Sequence, residues 1–274
     1  MIQRLLYLVR FSYLCAAMKH LTPKLLLAGI LCLACLATFV ATAATIFSEG
    51  TAPEALGTVK YDVRYKRGKL DARVATATIT WELSTWNEIP ALHSTALVKT
   101  TPLFKLFLGS DYFAETYFGR KDLSPLYFIN PFKNGKYEYF YRQETGLIES
   151  TIDEGNGQPA YMTFPFDGRT MDLLSLLHFV RFLDPSKAGS PYDIQLLMAS
   201  KCHPARIEYQ GIDNDKFPGI PTEKFLVKMT ERGLMENGSG DELHIWRSPG
   251  PDRRLLALET ALSSGSMIVR ISQD

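Results

Sequence analysis

The sequence predicts an all-β protein with minor α content. Its expected form is a single domain, a curved antiparallel sheet or partly open β-barrel wrapped around one buried helix at about 171–184. Three observations predict it. Apolar and charged residues alternate with period two along many short segments, the mark of half-buried antiparallel strands. Gly, Pro or Asn-Gly closes these segments at regular spacing, as in a sandwich or barrel. One stretch, MDLLSLLHFVRFLD, breaks the alternation and is apolar nearly all round, so it has to be buried on several sides.

The first element is a leader. Residues 1–43 carry Arg4, Arg10, Lys19 and Lys24 and no acid. The run LLLAGILCLACLATFV, from Leu25 to Val40, is uncharged and ends near small residues at Ala41 and Ala43. A basic head, an apolar core and an A-x-A end describe a secretory signal peptide. Met18 is the expected natural start, with residues 1–17 an upstream extension. The other reading is an uncleaved anchor, but the apolar run falls short of the roughly 20 residues that span a bilayer. The leader predicts export to the periplasm, with membrane contact only through this segment. Residues 44–56 read as a short arm, and residues 57–274 as the antiparallel β domain.

Charge and cysteines narrow the class. The 30 basic residues less the four of the leader leave 26 against 29 acidic ones, a net of −3. That balance does not suit a nucleic-acid partner, which calls for a basic face. Three of the four cysteines lie in the leader, leaving Cys202 and no intramolecular disulfide. A core must therefore supply the stability. A domain of about 230 residues can bury roughly 70–75% of its unfolded surface.

The strands follow in order. In TVKYDVRYKRGKLDARVATATITWEL, Val59, Tyr61, Val63 and Tyr65 share one face and Lys60, Asp62, Arg64 and Lys66 the other. Gly68 marks the turn, and the return strand lies near 72–83. ALHSTALVKTT at 91–101 is a third strand, and the aromatic segment 102–119 is read as strand too. GKYEYFYRQE alternates around Tyr137, Tyr139 and Tyr141. GLIESTIDEG and PAYMTFPFDG precede the helix, and YDIQLLMAS, ARIEYQGID, TEKFLVKMTERG, DELHIWRSPG, RRLLALETALSSG and SMIVRISQD follow it. This segmentation gives about eleven strands.

The helix has Thr170 as its expected N-cap, Asp172 in its first turn and Pro185 as its stop. Asp172, Ser175, His178, Arg181 and Asp184 recur every third residue, a spacing that drifts by about 60° per step. The polar stripe therefore spirals round an apolar cylinder, and the helix is expected to plug or lid the sheet. His178 and Arg181 are neighbours at i, i+3. They either pair with strand residues at the edge of the core or line a pocket in which Arg181 meets an anionic or hydroxylated ligand.

Motifs for chemistry are sparse. His93, His178, His203, His244 and Cys202 lack metal-ligand spacing, and adjacent Cys202 and His203 would point to opposite strand faces. No nucleophile elbow, zinc-protease helix, P-loop or dinucleotide fingerprint occurs, so no cofactor is predicted. Glu115 with Glu138 or Glu144 is a carboxylate pair of the kind a glycosidase uses. Eleven aromatic residues between Tyr112 and Tyr141 supply core packing or, alternatively, a groove with apolar walls and hydroxyl tips suited to a lipid, glycan or extended peptide.

The motifs DLLSLLHFVR, DYFAETYF, NGKYEYFY and HIWRSPGPDRRLLALETALSSGSMIVRI occur in an order that resembles the bacterial domain of unknown function 3108, over most of residues 55–271. His178 stands where that family usually has an aromatic such as Tyr, and SPGPD replaces a shorter turn containing Asp. The resemblance implies an exported cell-envelope β protein of Gram-negative bacteria, and no particular activity. Together these readings predict a non-enzymatic protein that binds a lipid, glycan or other amphiphilic envelope component. Glu115, Tyr117, Tyr139, Tyr141, His178, Arg181 and Trp246 are the candidate ligand-binding residues. A carbohydrate-active hydrolase using paired carboxylates, and an interaction module pairing through a sheet edge, are the alternatives.

Overall fold

The computed structural model describes residues 56–108, 111–188, 191–230 and 241–272. The predicted leader, and the arm up to residue 55, lie outside the described residues. The rest forms one sheet of fifteen strands, nearly closed into a barrel. The sequence reading counted about eleven strands; it passed over the strand Pro125–Phe132 and the two-residue strand Thr170–Met171.

The first half is an antiparallel meander. It comprises β1 (Gly57–Arg67), β2 (Leu70–Trp86), β3 (Ile89–Thr100), β4 (Tyr112–Gly119), β5 (Pro125–Phe132), β6 (Gly135–Arg142), β7 (Leu147–Asp153) and β8 (Ala160–Pro165). The second half runs from β9 (Thr170–Met171) through β10 (Tyr192–Met198), β11 (Lys201–Asp213), β12 (Thr222–Met229), β13 (Glu242–Arg247) and β14 (Leu255–Leu262) to β15 (Gly265–Ile271). β15 pairs antiparallel with β1 and joins the halves, with Val63 opposite Val269. The two edges of the sheet are therefore β8 and β9, which are consecutive in the chain.

The predicted faces hold. Tyr61 and Val63 are buried and the alternate residues Lys60, Asp62 and Arg64 are not. Gly68 takes a positive φ of 57° in the β1–β2 turn, a conformation in which glycine pays no Cβ penalty. At the end of β2, Asn87 and Glu88 both have positive φ, 46° and 68°, as a two-residue hairpin turn of type I′ demands. That turn presents Trp86 at the tip of its strand. Residues 102–108, read from sequence as strand, instead form the short helix α1 (Pro102–Leu108). Pro102 opens it, as the first turn of a helix tolerates proline, and the run is apolar at every position but Lys105, so no period told helix from strand.

The predicted buried helix is α2 (Leu173–Phe182), followed by the single turn α3 (Pro185–Ala188). β9 and β10 are parallel, and parallel neighbours need a crossover. The α2–α3 segment supplies it, and the crossover runs through the inside of the curved sheet. Nine of the ten residues of α2 are buried, including Ser175, His178 and Arg181. The N-cap is Asp172 rather than Thr170: its side chain accepts from the Ser175 backbone N–H at 2.9 Å. Thr170 is instead paired in β9, and its hydroxyl donates to the Pro165 carbonyl.

Candidate functional site

The helix is held at both ends by the strands around it. At its start, the Asp172 carboxylate accepts from the Tyr141 hydroxyl at 3.0 Å and from the Ser175 hydroxyl. The Thr116 hydroxyl, which donates to the Tyr127 carbonyl, lies 3.3 Å from the Ser175 oxygen. Burial raises the Asp172 carboxyl above its usual range, against the opposing pull of these donors. Burial and the Asp172 charge push the Tyr141 phenol well above its ordinary value.

At its end, a helix leaves its last four carbonyls without intrahelical partners and carries partial negative charge. Two arginines from the far end of the chain take those carbonyls. Arg247 Nη1 donates to the carbonyls of Val180 and Arg181, both at 2.6 Å, while its Nε pairs with Glu223 at 2.6 Å. Arg253 Nη1 donates to the carbonyls of Phe182 and Leu183, both at 3.0 Å. Arg181 answers from the helix: its Nε and Nη2 donate to the carbonyls of Arg253 and Asp252. The guanidinium of Arg181 also lies 4.4 Å from the Trp81 ring.

His178, midway along α2, does no such tethering. Its ring stacks on Phe118 at 4.3 Å and meets the edge of Phe182 at 4.8 Å. Neither ring nitrogen has a hydrogen-bond partner among the described residues. Burial, helped by the Arg181 charge, holds the imidazole well below its ordinary value of 6.5, so it is neutral at pH 7. The unfolded chain takes up a proton below about pH 6.5 that the native ring refuses. Native stability carried at higher pH is therefore lost as pH falls below 6.5. In His178→Phe, which keeps the aromatic stack, that loss should vanish. Thermal or urea melts at stepped pH should show the variant gaining on the parent by up to about 1.4 kcal/mol per pH unit below 6.5.

A second constellation lies on the opposite, outer face of the sheet. Strand register aligns Glu82, His93, Tyr117, Tyr127, Phe140 and Glu149 in one cross-strand row over β2 to β7. His93 stacks on Tyr117 at 4.3 Å, and Tyr127 meets Phe140 at 5.0 Å. Trp86 lies over the row, stacked on Tyr127 at 4.3 Å and tilted to Tyr117 at 4.8 Å. Three carboxylates border the rings. Glu82 and Glu115 contact the two nitrogens of His93 at 2.9 and 3.4 Å. Glu138 accepts from the Tyr127 hydroxyl at 2.8 Å and from Lys136 at 2.7 Å. A groove of about 410 Å³ continues the row toward the sheet edge, walled by Phe140, Arg142, Glu149, Tyr161 and Thr163.

The seven candidate residues thus fall in three places. Glu115 and Tyr117 belong to the outer row. Tyr139, Tyr141, His178 and Arg181 lie inside, where the Tyr139 hydroxyl donates to the Ala199 carbonyl. Trp246 is on the outer face of the other half, packed with Phe217 and Ala257, its indole N–H donating to Asp213 at 2.8 Å. Glu144 lies in the exposed turn after β6, away from Glu115 and Glu138. Sequence reasoning did not single out Trp86, Arg247 or Arg253. A signal for Arg247 was present: in HIWR, period two puts it on the face of buried Ile245, where a charge has to be answered.

The family described as protein of unknown function (DUF3108) matches residues 60–271. No curated protein matches the chain. Similar solved structures include a β-barrel-like protein of domain of unknown function DUF1849 from Brucella abortus. It is 9% identical with a TM-score of 0.48, over 80% of this chain and 98% of that one. The hypothetical protein CT021 from Chlamydia trachomatis is 11% identical with a TM-score of 0.28, over 80% and 87% of the two chains.

Proposed function

The chain belongs to the DUF3108 family of proteins of unknown function, and from that premise we propose that it is an exported, non-enzymatic binding protein of the cell envelope that holds a glycan along its outer wall. The observation that carries this reading is the aromatic row from His93 to Phe140 with Trp86 across it. Ring faces bind the apolar faces of sugars, while hydroxyls need acceptors beside them. Glu82 and Glu115 supply acceptors at one end, and Arg142 and Glu149 supply a donor and an acceptor at the other. Six strands at about 4.8 Å spacing, from Glu82 on β2 to Glu149 on β7, give a track of roughly 24 Å, the scale of a short oligosaccharide. The adjoining groove, about 410 Å³, falls in the range of small-molecule sites. Export rests on the leader, with its basic head, apolar core and A-x-A end.

A hydrolase reading would use Glu115 and Glu138, which both stand opposite Ile129 on this face. That places their backbones about 10 Å apart. Glu138 is already engaged by Lys136 and Tyr127, and neither carboxylate faces the other across a cleft among the described residues. Binding fits this arrangement better than bond cleavage.

The test is titration calorimetry with soluble oligosaccharides released from peptidoglycan. Trp86→Ala should weaken binding roughly tenfold or more, as loss of an aromatic anchor does. Its melting temperature should stay within a few degrees of the parent. Equal affinity in parent and variant would remove the row from the site.

A further inference from the structure

We propose that a cleft at the mouth of the barrel, separate from the aromatic row, binds a phosphate-type oxyanion. The cleft is about 650 Å³ and lies between the first residues of β1 and the turn that joins β13 to β14. Its walls include Gly57, Thr58 and Lys60 on one side and Asp252 and Arg254 on the other, with Arg181 from α2 also facing it.

Three cations and one carboxylate line this space, a local excess of two positive charges on a domain whose net charge beyond the leader is −3. A cleft of one sign walled by protein concentrates its field and draws in the opposite charge. The cations differ in kind. Lys60 and Arg254 are exposed at the rim, whereas Arg181 is 97% buried, with 3% of its surface accessible. Its Nε and Nη2 are turned to the carbonyls of Arg253 and Asp252, and Trp81 lies against its flat face. That clamp fixes the guanidinium without neutralising it. Burial lowers its pKa only to about 10, so it stays cationic at neutral pH. A fixed guanidinium with further N–H groups at the rim is the arrangement that recognises phosphate oxygens. The exposed Lys60, one of the residues lining the cleft, adds positive charge at its rim.

Such an oxyanion could be free phosphate or the phosphate of an anionic lipid headgroup, and the experiment separates the two. The purified protein is titrated calorimetrically with inorganic phosphate at low ionic strength, then floated with vesicles of phosphatidylglycerol. Arg254→Ala and Lys60→Ala should each weaken phosphate binding roughly tenfold. Arg206→Ala, which makes the same charge change on an exposed strand away from the cleft, should leave binding unchanged. Flotation with vesicles that free phosphate competes away identifies a headgroup. Phosphate binding without flotation identifies the free anion. Absence of both, or equal binding by the parent and the rim variants, overturns the proposal. The Trp86→Ala variant should bind phosphate normally, so failure of the glycan reading leaves this site standing.

Discussion

Arg247→Ala is expected to destabilise the protein by about 3–5 kcal/mol, the cost of breaking a buried ion pair from one side. The side chain is fully buried and answers three groups at once: the Glu223 carboxylate and the carbonyls of Val180 and Arg181. Truncation leaves all three without that partner, two of them at the negative end of a helix enclosed by the sheet. For a domain of this size the melting temperature should fall by roughly 10–15 °C. Arg247→Lys should recover less than half of the loss, because an ammonium cannot span the fork from Glu223 to the helix end. Thermal melts followed by circular dichroism would check both. A fall of only a degree or two would mean that Arg253 and local adjustment can end the helix alone.

The second large effect is at the other end of the helix. Asp172→Ala removes the N-cap and strips the buried Tyr141 hydroxyl of its acceptor. A lost cap costs about 1–2 kcal/mol and an orphaned buried hydroxyl about 1–3, so a loss near 3 kcal/mol is expected. Asp172→Asn keeps an acceptor for the Ser175 N–H and should lose less than half as much. It should also change the pH dependence. The native Asp172 carboxyl is raised above the unfolded value, so the folded state holds its proton to higher pH. The parent's stability is fully present below about pH 4 in this respect, and falls as pH rises through the native value. The Asn variant has no such proton and should lack that fall. Urea melts between pH 4 and 7 on the two proteins would show the difference directly.

Much of the architecture was legible because period two is a local property. TVKYDVRY shows which face is inside without reference to any partner strand, and GKYEYFY does the same for Tyr139 and Tyr141. The helix was legible for the opposite reason, since LLSLLHFVRF is too apolar all round to lie on a surface. What joins distant segments was not legible. The β1–β15 pairing that joins the halves, and the grip of Arg247 on carbonyls 66 and 67 residues earlier, depend on strand order, which no local pattern carries. The outer row depends on register as well. Tyr117, Tyr127 and Phe140 align only once three strands are paired, and Trp86 reaches them only through the geometry of the Asn87–Glu88 turn. Register also explains why the candidate residues scatter. Each was placed by its own motif, and face is independent from one strand to the next, so Tyr117 and Tyr139 ended on opposite sides of one sheet.

The protein's three tryptophans allow the outer-wall reading to be tested in a single spectrum. Trp81 lies against Arg181 inside the barrel, Trp86 crosses the outer row, and Trp246 sits with Phe217 on the other half. With indole nitrogens labelled and the signals assigned by substitution, peptidoglycan oligosaccharides are added to the protein. The outer-wall reading predicts that the Trp86 indole signal moves while those of Trp81 and Trp246 stay in place. Movement of Trp81 or Trp246 with Trp86 still, or no movement of any of the three, would contradict it.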